Sequence, residues 1–277
     1  MEVWQQCITS LLSWAWLYYK HDLNPDLQVG GMASVIEHYE RLLAEHYSWM
    51  SGGFSQKLHQ NKKFFSSHHV WPIHSGIAVD LGAGCGFQSI PLAQAGFSVI
   101  AIDSSTKLLA ELKQNAQSLL VTPIHDDLLN FARHCPGPIE LVVCMGDTLT
   151  HLKSQRAIRQ LFKKIFSALE TGGRLILTFR DLSIELKGLD RFISVRNDAK
   201  RIFTCFLEYE KHHVRVHDMI YQLKQDRWDL KKSCYKKIRI APQWAEEALQ
   251  ALGFKIETFD IQDAGVCIIA RKPDHGK

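Results

Sequence analysis

The sequence lacks the features that would fix its class at a glance. None of its seven cysteines stands in a Cys-x-x-Cys pair, so neither a disulfide framework nor a zinc site is indicated, and a reducing, cytoplasmic setting is expected. No metal is expected either, because the 14 His form no His-Glu-x-x-His pattern. The one candidate membrane span, residues 8–19, falls short of the roughly 18 apolar residues that a bilayer requires. Met1 to Cys7 holds no Lys or Arg, so the basic start of a secretory signal is missing. Charge of one sign is lacking too. The 33 Lys+Arg against 29 Asp+Glu leave +4, too mild by itself to imply a nucleic-acid or membrane partner. What is present is 46% hydrophobic residues in a chain of 277, ample for one large domain or a domain with an inserted module. Met32 follows Gly30-Gly31 and opens a cleaner amphipathic segment, so residues 1–31 are read as an upstream extension.

The hydrophobic pattern changes twice along the chain. Ile36, Tyr39, Leu42, Leu43, Tyr47 and Met50 recur at three- and four-residue steps, which predicts a helix over residues 34–50, with a second over 54–65. Short apolar runs at 76–81, 97–102, 121–124, 141–145 and 174–179 then alternate with helical stretches near 90–93, 107–116, 128–134 and 154–169. Strand and helix alternating in this way predict a parallel α/β sheet with helices on both faces. Residues 202–209, 214–223 and 228–240 instead alternate polar with apolar, the mark of an antiparallel meander with one solvated face. Pro242 opens a last helix stopped by Gly253, and 254–261 and 266–270 read as a closing strand pair.

The chemistry starts at Asp80-Leu81-Gly82-Ala83-Gly84-Cys85-Gly86. A glycine-rich turn between strand and helix lets the backbone approach a ligand closely. Asp103 closes the next strand, where a carboxylate can accept both hydroxyls of a ribose. An adenosine-bearing cofactor is therefore expected. A dinucleotide would need Gly-x-Gly-x-x-Gly, whereas the spacing here is Gly82-x-Gly84-x-Gly86. A charged Asp80 at the mouth of the loop would oppose a pyrophosphate and suit an ammonium, so the electrostatics favour S-adenosylmethionine.

With these residues in place, 77–180 resemble the class I S-adenosylmethionine-dependent methyltransferases. The resemblance implies a Rossmann-like seven-stranded sheet with the cofactor across the strand ends. It implies that Gly82 and Gly84 line the methionine side, that Asp103 holds the ribose and that Ser104 lies beside it. Asp126-Asp127-Leu128 falls where an acidic residue meets the adenine amino group, Asp127 first and Asp126 second. Capping of the following helix is the competing role for that pair. Cys144-Met145-Gly146-Asp147-Thr148-Leu149-Thr150-His151-Leu152 resembles the segment after the fourth strand in glycine N-methyltransferase and its small-molecule relatives, and puts Met145 and Gly146 at the cofactor. In that group antiparallel strands are inserted after the fifth strand, and Arg180 corresponds to an arginine that binds a substrate carboxylate. A guanidinium fork suits that task.

The expected acceptor is therefore a small molecule, an amine or an amino-acid-like compound. Asp147 departs from the group, where an amide stands, and a bare carboxylate there would repel glycine's carboxylate and attract a cationic amine. His151 is the candidate base because imidazole titrates near neutrality, with a packed histidine as the competing account. Tyr47 and Trp49 are expected in a helical lid over the site, and Tyr209, Tyr221 and Tyr235 in the acceptor pocket, Tyr235 alone with a family match. The expected division is a lid and extension over 1–75, a cofactor core over 76–180 and 242–277, and a substrate-side insertion over 181–241, possible homo-oligomers included. Two other classes compete. The insertion holds 14 Lys+Arg against 9 Asp+Glu, densest at Lys231, Lys232, Lys236, Lys237 and Arg239, as a nucleic-acid methyltransferase would. Against it, Met145-Gly146-Asp147-Thr148 is no Asn/Asp-Pro-Pro-aromatic motif. A non-catalytic cofactor-binding partner subunit is opposed by the intact Asp80, Gly82, Gly84 and Asp103.

Overall fold

The computed structural model describes residues 32–274, so the extension read at 1–31 lies outside the described residues. The apolar runs of the alternating region become β1 (Ile77–Leu81), β2 (Ser98–Asp103), β3 (Val121–His125), β4 (Ile139–Cys144) and β5 (Leu169–Arg180), all parallel. With β10 (Lys255–Gln262) and β11 (Gly265–Arg271) they form a seven-stranded sheet of order β10-β11-β5-β4-β1-β2-β3. β11 runs antiparallel to β5 and to β10. Every residue of β4 is buried, as expected of a strand covered on both faces.

Alternate strand residues feed two cores because successive side chains point to opposite faces. Val79, Leu81, Ile100, Val142 and Cys144 pack under α6 (Gln155–Ala168) and α7 (Pro242–Gln250) through Ile158, Phe162 and Leu249. Ala78, Val99, Leu141 and Val143 pack under α3 (Phe54–Ser67) and α4 (Ser89–Gln94) through Phe65 and Leu92. α5 (Thr106–Ala116) follows β2, capped by Ser105, whose Oγ accepts the Leu108 N–H.

The insertion is a second sheet of four strands, β6-β7-β8-β9, rather than the expected three. β7 (Arg201–Tyr209), β8 (His213–Lys224) and β9 (Arg227–Ile238) match the expected meander, and Gln225 and Asp226 turn the last hairpin with φ of 47° and 61°. The extra strand is β6 (Phe192–Asn197), an edge strand whose Ser194, Arg196 and Asn197 break any apolar run.

Residues 34–50 are not the single helix that their periodicity predicts. α1 (Val35–His38) gives way to a π-turn (Tyr39–Leu43), a 3-10 turn (Ala44–His46) and α2 (Tyr47–Met50). The start is a capping box, with the Ser34 N–H donating to Glu37 Oε2 at 2.9 Å and the Glu37 N–H to Ser34 Oγ at 3.2 Å. The change of helical pitch re-aims Tyr39 and Tyr47 inward, a use to which π-turns are often put. Residues 128–134, expected as an α-helix, form a 3-10 turn. Among the described residues no helix is long and apolar enough to cross a membrane.

Candidate active site

The C-terminal ends of β1, β2, β4 and β5 lie on one edge of the sheet, where the segment 34–50 meets the loop after β1. Past β1 the chain turns through Gly82 at φ +76° and Gly84 at φ +54°. A Cβ on Gly82 would fall 2.3 Å from Thr148 Oγ1, so only glycine lets the loop after β4 seat against the loop after β1. The Gly84 N–H donates to Asp103 Oδ2 at 2.8 Å and the Ser105 N–H to Oδ1 at 2.7 Å. The Asp103 carboxylate is thereby pinned at the cleft, burial raises its pKa, and each oxygen keeps a lone pair for a ribose hydroxyl. Tyr47 roofs Gly84, its Cε1 3.3 Å from where a Cβ would stand, and stacks on Phe87. The segment 34–50 is fastened beside it. Glu40 Oε1 accepts the Ser105 hydroxyl at 2.7 Å, and Lys107 Nζ donates to the Glu40 carbonyl at 2.6 Å.

The remaining cofactor-side expectations divide. Asp80 does not stand open at the loop mouth: it is 1% exposed and accepts the Ser89 hydroxyl at 2.6 Å. Burial pushes its pKa to about 7. Asp126 is claimed by its own loop, accepting from Asn130 Nδ2 at 3.0 Å, pairing with His134 at 2.6 Å and binding the Arg133 guanidinium. Those partners hold its carboxyl well below the usual range. Asp127 does cap the 3-10 turn, through Oδ1 and the Leu129 N–H at 2.8 Å, which leaves Oδ2 for an amino group. Leu128 packs against the core. The Ser104 carbonyl meets His125 Nε2 at 3.1 Å. Gly146, at φ +74°, has open space where a Cβ would stand, and its N–H donates to Thr178 Oγ1 at 2.7 Å beside Met145. Slot, pinned carboxylate and bare glycine edge together fit an adenosine-bearing group.

A second polar cluster joins the loop after β4, the end of β5 and the inner face of the insertion. Asp147 accepts Lys237 Nζ at 2.6 Å and the Arg180 N–H at 3.1 Å, with Arg180 Nε 3.5 Å away. Burial alone would raise the Asp147 pKa, but Lys237 and then Arg180 outweigh it and hold the carboxyl well below the usual range. Two cations on one carboxylate leave a positive surplus, which overturns the expectation of a bare anion here. The Arg180 side chain stays 62% exposed. His151 lies between the ring edges of Tyr39 and Tyr235, at 5.6 and 5.8 Å. Burial, then Lys237, depresses its pKa to about 3, so it is a neutral packed ring rather than a base.

Three comparisons bear on this geometry. A family model described as a methyltransferase domain matches residues 78–173. Among curated relatives, the glycine/sarcosine N-methyltransferase of Aphanothece halophytica is 33% identical over 110 residues, 39% of this chain and 42% of that protein. The chain thus spans about two fifths of the length of the curated relatives it first matches. Among solved structures, the CcbJ methyltransferase from Streptomyces caelestis superposes with a TM-score of 0.69 at 17% identity, covering 85% of this chain and 98% of that one. The sugar N-methyltransferase KedS8 from Streptoalloteichus gives 0.67 at 11% identity, over 90% and 99%. Over residues 78–173 the chain carries a methyltransferase domain, and its fold is shared with the class I methyltransferases. Their cofactor is S-adenosylmethionine.

Around this site, several aromatic expectations change place. Trp49 packs with Leu42, Leu43, Phe203 and Ile220, under the Arg201 guanidinium at 4.2 Å, and so ties the segment 34–50 to the second sheet. Tyr221 falls on the outer face of β8, opposite the buried Asp218 and Ile220, and Tyr209 packs under Arg239. The basic stripe is largely consumed internally. Lys237 is bound to Asp147, Lys236 to Glu210, Lys231 to Glu45, and Arg239 to Glu185 and the carbonyls of Leu182, Ser183 and Glu210. Lys237 itself was legible only as part of that stripe. The signal that it belongs to the site is its two-residue spacing from Tyr235, which puts both on the inner face of β9. His38 and Asp218, 2.8 Å apart and buried beside Tyr235, carried no sequence signal at all.

Proposed function

We propose that this chain transfers the methyl group of S-adenosylmethionine to the amine of a small molecule that also bears a carboxylate. When bound, the cofactor supplies a methyl group on a sulfonium, an activated leaving group. The protein's task is then to align the nucleophile and exclude water. Gly82, Gly84, Asp103 and Gly146 would hold the cofactor, and Tyr39 and Tyr47 would close over it. The observation that carries the acceptor class is the Lys237–Asp147–Arg180 group. Lys237 sits on the carboxylate at 2.6 Å, which leaves the exposed Arg180 guanidinium to receive an anion. The aromatic rings of Tyr39, His151 and Tyr235 supply an apolar wall for the rest. In this reading residues 76–180 and 242–277 are the cofactor core, 181–241 the acceptor-side insertion and the segment before 76 its lid.

A screen with labelled cofactor against amines, carboxylates, thiols and phenols tests the proposal, with sarcosine and decarboxylated amines compared directly. Amines carrying a carboxylate are expected to turn over best. Arg180→Ala is expected to raise the acceptor KM at least about tenfold, the loss of a charge-assisted hydrogen-bond pair, while kcat changes less. An unchanged KM would sink the carboxylate anchor.

A further inference from the structure

A buried histidine and a buried aspartate meet where the lid touches the insertion. His38, the last residue of α1, is 0% exposed, and Asp218, on the inner face of β8, is 3% exposed. His38 Nε2 lies 2.8 Å from Asp218 Oδ2. A carboxylate only accepts, so Nε2 carries the hydrogen and Nδ1 of the neutral ring is left with its lone pair. That Nδ1 is buried and has no hydrogen-bond partner among the described residues. An unmet buried acceptor is costly and points to a donor that arrives with a ligand. The surroundings agree: Tyr235 stacks on the His38 ring at 4.0 Å and meets His151 edge-on at 5.8 Å. His38 is therefore part of the aromatic wall assigned above to the acceptor.

We infer that His38, held by Asp218, is the proton acceptor for the substrate amine. This rests on the methyltransferase reading. The amine lone pair forms the new N–C bond, the electrons of the broken C–S bond leave with sulfur, and the N–H proton passes to His38 Nδ1. The N–H electron pair stays on the product nitrogen, and Asp218 stabilises the imidazolium. His151 cannot serve, because burial keeps it neutral down to about pH 3. The other titratable groups around the pair are Cys234, Tyr235 and Lys237 from β9, Cys205 from β7, His151 and Asp147 from the loop after β4, and Tyr39 from the segment 34–50.

Nitrogen NMR of the histidine side chains, on the full chain with S-adenosylhomocysteine, tests the pair without turnover. The expected result is an Nε2–H tautomer for His38, with Nδ1 bare. An Nδ1–H tautomer would overturn the inference. With sarcosine as the amine probe, His38→Gln, whose amide can still donate to Asp218, is expected to lower kcat roughly 100- to 1,000-fold and to abolish the acid limb of the pH profile. S-adenosylhomocysteine affinity should stay within about twofold, since the inferred contact of His38 is to the amine and not to the cofactor. An unchanged kcat and acid limb would refute the role. Absence of turnover by the unaltered chain with every amine would defeat the amine-acceptor reading and this inference with it, whereas a wrong tautomer defeats this inference alone.

Discussion

Replacing Lys237 with Met removes the cation closest to Asp147 and leaves its methylene packing in place. The Lys237 and Asp147 side chains are 10% and 16% exposed and meet at 2.6 Å. Deleting one partner of a buried pair costs about 3–5 kcal/mol. Asp147 keeps the Arg180 N–H at 3.1 Å and the guanidinium at 3.5 Å, so a loss of about 2 kcal/mol is expected. For a chain of this size that corresponds to a fall in Tm of roughly 4–8 °C. The sign with pH follows from the direction of the shift. A carboxyl with a depressed pKa contributes stability that is complete above its unfolded pKa and is lost as pH falls through the folded value. In Lys237→Met burial opposes ionisation with one cation fewer, so Asp147 takes a proton at higher pH and its unpaired charge disappears. The gap to the unaltered chain should therefore narrow as pH falls through the variant's Asp147 pKa towards the lower value of the unaltered chain. Thermal unfolding of the unaltered chain, Lys237→Met, Asp147→Asn and the double variant gives the coupling directly. About 2 kcal/mol is expected, and a coupling below about 0.5 kcal/mol would refute the reasoning.

Other outcomes follow from the same site. Asp80, its pKa raised to about 7 by burial, contributes stability that is present at acid pH and lost as pH rises through that value. Asp80→Asn, which still accepts from Ser89, should therefore raise Tm at about pH 8 and leave it unchanged at about pH 3, below the unfolded carboxyl range; equal Tm values at the higher pH would contradict this. Gly84→Ala forces a side chain to φ +54° and to 3.3 Å from the Tyr47 ring, so S-adenosylhomocysteine affinity measured by calorimetry should fall by about tenfold or more. Fluorescence anisotropy with single-stranded RNA should detect only weak non-specific binding, near or above about 10⁻⁵ M at physiological salt, because four of the five basic residues of the stripe are engaged within the fold. Tight, steeply salt-dependent binding would reopen the nucleic-acid reading.

The sheet was legible because its signal is local. Apolar runs such as Ala78-Val79 and Leu141-Val142-Val143 sit between glycine and helix punctuation, and each becomes a strand buried on both faces. Gly82, Gly84 and Asp103 were legible for the same reason: positive φ and a strand-end carboxylate leave marks in a short stretch of chain. β6 was not, since an edge strand needs no apolar run when its neighbour supplies the pairing. The broken helix at 35–50 was not either, because a π-turn preserves the apolar spacing that announced a helix. The acceptor side was hardest. Lys237 with Asp147, and His38 with Asp218, are partners 90 and 180 residues apart, and no single stretch of sequence contains either pair. Asp147 was consequently read as a free anion, although the fold supplies its counter-charge from another sheet.

The central claim is that the glycine slot and Asp103 bind S-adenosylmethionine, and titration calorimetry on the full chain tests it most directly. One molecule of S-adenosylmethionine per chain should bind, S-adenosylhomocysteine should compete, and Asp103→Ala should lose most of the affinity while still folding cooperatively. Absence of binding by the folded, unaltered chain, or affinity untouched by Asp103→Ala, would contradict the account.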